Sequence, residues 1–302
     1  MSDFSYHLST VHYLMLRDSL RTDTYLKAIN KYVNSDDFVI DLGSGSGILS
    51  FFASKNAKKV YSVEITKLIN EAQKIADMNK FKNIIFINKD IFNLELEEKL
   101  DVIIHEQIGD YLWDEDLINK VSGIKKNFLK KNGIILPNVI ELYLVPSNYK
   151  HYAENVIKYW DSKPYGIDFS ILKKATFKER INDYLHPFKI KLKNSDTYLS
   201  SPKIVYSLNL SKDDFLTREI KTSFLLNKND EITGIIGFMK VKFSDDLFFY
   251  TNHYNENGKL THWNQFFIPL FSPKKINRKT ELTFTLYPNI EPKKWKWSFE
   301  FK

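Results

Sequence analysis

Apolar positions recur with two different periods along the chain, and the change comes near residue 137. Before it, short apolar runs alternate with stretches of helical spacing. Residues 37–42 (DFVIDL), 59–65 (KVYSVEI), 83–88 (NIIFIN) and 100–105 (LDVIIH) read as buried strands. Residues 48–56 and 67–78 carry apolar side chains at helical spacing. Strands alternating with helices predict a parallel sheet covered by helices on both faces, an α/β fold. After residue 137 the segments are short and alternating: 140–146 (IELYLVP), 187–193 (PFKIKLK), 201–210 (SPKIVYSLNL), 232–244 (ITGIIGFMKVKFS), 280–288 (TELTFTLYP) and 295–302 (WKWSFEFK). In the last, Trp295, Trp297, Phe299 and Phe301 share one face, and Lys296, Ser298 and Glu300 the other. Period two with one apolar face is a half-buried strand, so this half is expected to be an antiparallel barrel or sandwich. Residues of about 152–186 read as helical and partly amphipathic. The expected division is therefore 1–137 and 138–302.

Composition changes this picture little. A chain of 302 residues suits two domains, and no apolar run approaches bilayer length. The N-terminus has no basic start before an apolar stretch, so a secretory signal is not expected. The absence of cysteine excludes disulfides, thiolate metal sites and a cysteine nucleophile, and fits a cytoplasmic protein. Net charge is −1 over residues 1–140 and +8 over 141–302. The lysines are scattered rather than clustered, which favours a solvated surface over a nucleic-acid face. No base-methylation motif of the N-P-P-Y type is present, and neither a membrane nor a nucleic-acid partner is expected.

The candidate chemistry begins where the first strand ends. Gly43, Gly45 and Gly47 follow a hydrophobic strand and open a helix, so the backbone can turn sharply and approach a ligand. A dinucleotide fingerprint wants its third glycine at position 48, which is isoleucine. G-x-G-x-G after a strand ending in an acid fits S-adenosylmethionine instead. Asp41, Gly43, Ser44 and Gly45 would surround its amino-acid part. Glu64, ending the second strand, suits the ribose hydroxyls, and Asp90, after the third, suits the adenine amine. No metal is implied.

The fourth strand runs into HEQIGDYLWDED, with Glu106, Asp110, Asp114, Glu115 and Asp116 within eleven residues. Glu106 and Glu115 are nine apart and would face opposite ways on one helix. They converge only if the chain doubles back, which Gly109 permits. Two converging carboxylates suit a guanidinium, planar and permanently charged. Asp114 is expected to cap the following helix.

These residues carry a resemblance to the protein arginine methyltransferases. Residues 39–64 (VIDLGSGSGILSFFASKNAKKVYSVE) resemble that family's cofactor motifs, and Glu106 with Glu115 its two-glutamate loop. Thr261-His262-Trp263 resembles its Thr-His-Trp loop, residues 12–25 the helix that folds over the cofactor, and residues 165–181 (YGIDFSILKKATFKERI) a dimerisation arm. The resemblance implies a Rossmann-like S-adenosylmethionine-binding domain, then a β-barrel whose helical arm, at about 152–186, makes a homodimer. It implies that His12, Met15 and Arg21 contact the cofactor, with Arg21 on its carboxylate. It implies that Tyr6 and Trp263 help bind substrate, and that Asp18 pairs with His262. The chain departs from the family at Ser2 and Asp3, where an aromatic pair is usual. It departs also at Gln107 (tryptophan), Asp110 (tyrosine) and Leu117 (methionine).

Methyl transfer to a guanidinium is mostly alignment. Glu106 and Glu115 would draw its positive charge toward the nitrogens that do not react, and His262, held by Asp18, would accept the proton released. An arginine in a protein or peptide is the expected substrate. Free arginine or another small guanidine is the alternative. A catalytically idle partner subunit of the same fold is a third reading.

Overall fold

The computed structural model describes residues 9–150, 159–173, 175, 185–192, 195, 197–213, 215–252 and 261–302. The chain forms two compact units. The first comprises Met1–Glu141, Ser207–Leu216 and Met239–Trp263, and the second Leu142–Tyr206, Thr217–Phe238 and Asn264–Lys302.

The first unit opens with α1 (Ser9–Arg17) and α2 (Ser19–Tyr32). Strands β1 (Phe38–Leu42), β2 (Lys59–Val63), β3 (Ile84–Ile87), β4 (Leu100–His105) and β5 (Leu129–Leu136) form a parallel sheet in the order β3-β2-β1-β4-β5. Helices α3 (Ile48–Ser54), α4 (Leu68–Met78) and α5 (Leu117–Phe128) alternate with the strands. Val39, Ile40, Leu42, Val60, Val63, Ile103 and Ile104 are almost wholly buried. Each such side chain contributes about 1.5–3 kcal/mol through the water it leaves.

The strand order places the site. Chain order proceeds from β1 to β2 on one side, and β4 returns to lie on β1's other side, with Leu42 opposite His105. The carboxyl ends of β1 and β4 are thus neighbours at the switch point of an open sheet, where such folds bind ligands. This brings the glycine turn beside Glu106.

The second unit is antiparallel where its pairings are defined. A six-stranded sheet runs in the order β7 (Phe188–Ile190), β12 (Gln265–Ile276), β10 (Asp230–Lys242), β6 (Val139–Ser147), β8 (Lys203–Asn209). β12 is antiparallel to both β7 and β10. β11 (Phe248–Tyr250) pairs with residues 240–242, within the part of β10 (239–242) that belongs to the first unit. A three-stranded sheet runs β14 (Lys296–Phe301), β13 (Glu281–Tyr287), β9 (Ile220–Leu225), with Phe224, Phe284 and Leu286 in its core. Trp297, Phe299 and Phe301 are the less exposed face of β14, in the expected alternation.

Two details differ from the sequence reading. The expected N-terminal helix is two helices, broken at Asp18. Of the expected arm, residues 152–158, 174 and 176–184 lie outside the described residues. The described part holds 3₁₀ turns at Trp160–Ser162 and Pro164–Gly166, with positive φ at Lys163, Tyr165 and Gly166, between helical residues at 159 and at 171–173 and 175.

Candidate active site

A cleft in the first unit is lined by His12, Met15, Leu16, Arg21, Asp41, Gly43, Ser44, Gly45, Ser46, Ile48, Leu49 and Glu106. Gly43, Gly45 and Gly47 all have positive φ, a backbone that other residues adopt only with strain. A Cβ at residue 43 would overlap the Gln107 carboxamide, and one at residue 45 the His12 ring. The turn is pinned behind the cleft: Ser44 N–H donates to the Val63 carbonyl, and Gly45 N–H to Glu64 Oε2 at 3.0 Å.

Asp18 organises the other wall. Its Oδ1 accepts the Arg21 backbone N–H at 3.0 Å, capping α2. Asp18 is therefore a buried N-cap whose carboxylate accepts from the Arg21 backbone N–H. Asp18 Oδ2 faces both the backbone N–H of His262 (2.8 Å) and its ring Nδ1 (2.9 Å). Burial pushes the Asp18 carboxyl up. The hydrogen bonds from the His262 ring, Arg21 and the His262 backbone outweigh this and hold it below its ordinary value. A proton on Nδ1, shared with Asp18, leaves Nε2 free to accept, and Nε2 is 3.8 Å from Glu106 Oε1.

Arg21 is buried, with its Nη2 3.3 Å from Glu106 Oε2 and its Nη1 on the Met15 carbonyl. Burial works against its charge, and facing Glu106 more than restores it. Its Nε is buried and has no hydrogen-bond partner among the described residues. A buried guanidinium with a spare donor on a ligand cleft suits a carboxylate. Together with the glycine cradle it fits the amino-acid end of S-adenosylmethionine.

Glu106 opens a doubled-back turn. Leu112 and Asp116 take positive φ, and Asp114 Oδ1 accepts the Tyr111 N–H. Asp114 thus closes this turn and does not cap α5. The N-cap of α5 is Asp116, whose side chain makes no capping hydrogen bond. Ile108, Tyr111, Leu112 and Trp113 are buried beneath the turn. Trp263 is buried too: its Nε1–H donates to the Ile108 carbonyl at 2.6 Å and its ring stacks on Phe249. It therefore braces the Glu106 turn from below.

The remaining expected site residues are more dispersed. Glu115 is half-buried on the turn and is not part of the cleft lining. Glu64 has its carboxylate on backbone N–H groups, Gly45 on one oxygen and Thr66 on the other. Asp90 caps its own 3₁₀ turn through Phe92 N–H. Neither lines the cleft. Tyr6 lies outside the described residues. Two residues with structural importance were not singled out from sequence. Tyr25 is fully buried on α2 and donates to the His105 carbonyl at 2.8 Å. His105, also fully buried, has its Nε2 on the Pro137 carbonyl, and burial lowers its pKa to about 4, so it is neutral. No local pattern marks either: the Tyr25 contact joins residues 80 apart.

Asp41 is the costly group. It is buried, accepts the Ser50 hydroxyl at 2.7 Å, and has its pKa raised to about 6, chiefly by burial. A carboxyl raised in the fold binds its proton more tightly folded than unfolded. Its stabilising share is full below its unfolded value of 3.8 and declines as pH rises to about 6. Asp41→Asn is expected to stabilise the ligand-free protein by on the order of 2 kcal/mol at pH 7.5 and by much less at pH 4. Thermal unfolding at both pH values checks this, and an equal gain at both would contradict it.

Residues 34–183 match the model of a methyltransferase domain, and residues 139–302 that of an arginine methyltransferase oligomerization subdomain. Protein arginine N-methyltransferase 1 of Chlamydomonas reinhardtii is 32% identical over 271 residues, covering 86% of this chain and 75% of that protein. The chain belongs to the protein arginine N-methyltransferase family. Within it, protein arginine N-methyltransferase 1 of Caenorhabditis elegans is 30% identical over 94% of this chain and 83% of its own length. The fold of this family member is shared by Arabidopsis thaliana protein arginine methyltransferase 10 (TM-score 0.82, 22% identity, 99% of this chain and 94% of that one). It is shared too by a chain of a Trypanosoma brucei PRMT1 enzyme-prozyme complex (TM-score 0.81, 24% identity, 99% and 94%).

Proposed function

We propose that this methyltransferase moves the methyl group of S-adenosylmethionine to a guanidinium nitrogen of arginine in a protein or peptide, and that the cleft beside Glu106 is where it does so. The observation that carries the reading is Glu106 itself. It stands on the cofactor cleft, paired with Arg21 on one oxygen and approached by the Asp18-held His262 on the other.

Gly43, Ser44, Gly45, Asp41, His12, Met15 and Arg21 would hold the cofactor, and Glu64 and Asp90 its nucleoside part. The cofactor supplies an electrophilic methyl group on a sulfonium. Glu106, with Glu115 from the same turn, grips the substrate guanidinium and draws its charge toward the nitrogens that do not react. The remaining nitrogen would form the new N–C bond as the methyl's S–C bond breaks, its electron pair staying on sulfur in the departing S-adenosylhomocysteine, and would carry a surplus proton. His262 Nε2 accepts that proton, and Asp18 stabilises the imidazolium through Nδ1. Trp263 keeps the turn in place, and Tyr6, outside the described residues, is proposed as a substrate contact.

We read the cofactor chemistry as belonging to residues 1–137 and the barrel with its arm to 138–302, with residues 207–216 and 239–263 of the latter clustering in the first unit. We read the chain as a homodimer in the cytoplasm. Support comes from the oligomerization subdomain match and from the apolar side chains of the arm, where Tyr165 is 97% and Ile171 81% exposed. The test is mass spectrometry of the purified protein with S-adenosylmethionine, offered an arginine-rich peptide and free arginine side by side. Methylated peptide is expected. Methylated free arginine without peptide product would move the substrate to small guanidines. Neither product, with cofactor bound, would favour an idle subunit.

A further inference from the structure

Gln107 follows Glu106 and folds back against the glycine turn. Its carboxamide fills the space that a Cβ at residue 43 would need. Its Oε1 is buried and has no hydrogen-bond partner among the described residues. A buried acceptor without a donor is unfavourable, and such atoms in folded proteins mark a missing partner. The neighbouring acids are already engaged. Glu64 uses both oxygens on backbone N–H groups, and Asp41 accepts the Ser50 hydroxyl.

The ligand read for this cleft has an amino-acid end with two charges. Arg21, with its spare Nε–H, suits the carboxylate. The ammonium needs an acceptor at the same end. Glu106 already holds Arg21 on one oxygen; Gln107 is not itself among the residues lining the cleft, but its carboxamide packs, Nε2 foremost, against Gly43, which is. We propose that Gln107 is a cofactor-binding residue whose carboxamide oxygen accepts a hydrogen bond from the α-ammonium group. The inference rests on the cofactor reading above. It assigns to a side chain of the Glu106 turn a second duty on the cofactor, so one turn touches both reactants.

The test compares two ligands by calorimetry, S-adenosylhomocysteine and its analogue lacking the α-amino group, on the wild-type dimer or monomer as purified. Wild type is expected to prefer the amine-bearing ligand. Gln107→Met, which keeps the side chain's length and removes the acceptor, is expected to weaken S-adenosylhomocysteine about tenfold and the deaminated analogue less than twofold. Gln107→Glu keeps an acceptor and is expected to preserve the preference for the amine, which provides the reading if the methionine variant does not fold. Equal losses for both ligands in Gln107→Met, no loss at all, or loss of the preference in a folded Gln107→Glu would overturn the assignment. S-adenosylhomocysteine failing to bind wild type would remove the cofactor reading as well. Normal binding with an insensitive Gln107 removes this inference alone.

Discussion

Glu106→Gln is expected to lower kcat/KM for methyl transfer by at least about a thousandfold, while S-adenosylhomocysteine affinity changes only a few-fold. The substitution keeps shape and one acceptor oxygen, and removes the charge that has to polarise a guanidinium. Arg21 loses its ionic partner, yet it keeps the Met15 carbonyl. Steady-state kinetics beside calorimetry separate the two effects. Activity within tenfold of wild type would sink the role given to Glu106. A proportionate loss of cofactor affinity would mean that Glu106 acts through the shape of the cleft.

The second large effect is expected from Arg21→Met. Its length and burial suit methionine, but Glu106 would be left little exposed and without its counter-ion. Breaking such a pair from one side costs about 3–5 kcal/mol, a fall in Tm of roughly 5–8 °C in a protein of this size. Cofactor affinity should fall by about a hundredfold, since the fork that suits its carboxylate is gone. The double variant with Glu106→Gln distinguishes the causes. Removing both charges should restore most of the stability and none of the affinity. If the double variant is as unstable as the single one, packing rather than charge explains the loss. If Arg21→Met binds cofactor normally, the carboxylate belongs elsewhere.

The sequence was most legible where structure is written in short range. β1, α3, β2, α4, β3 and β4 fall within two residues of expectation because the strands are continuous apolar runs, although β3, expected to be buried, is an edge strand with Ile85 42% exposed. β5 was missed: LKKNGIIL is polar for half its length and becomes a strand by pairing with β4. β12 was missed because Pro269 and Pro273 argue against a strand, and its pairing with β10 shifts register between Ile232 and Gly234. The break at Asp18 was invisible for another reason. Residues 12–25 have good helical spacing on both sides of it, and Asp18 is held both by its local cap on Arg21 N–H and by the bonds to His262, 244 residues away. At the site, the glycine turn and Glu106 stand where residue types and strand ends put them. The bond of Glu64 to Gly45 N–H and the bracing by Trp263 join residues 19 and 155 apart and depend on distances that no spacing encodes.

Asp18 has a kinetic consequence. One carboxylate joins the start of α2, the backbone of residue 262 and the His262 ring. An opening that frees either end releases a buried anion from partners on both, so the two segments share one free energy of local unfolding. Amide hydrogens at residues 21 and 262, far apart in the chain, would then exchange with solvent as members of a single cooperative unit.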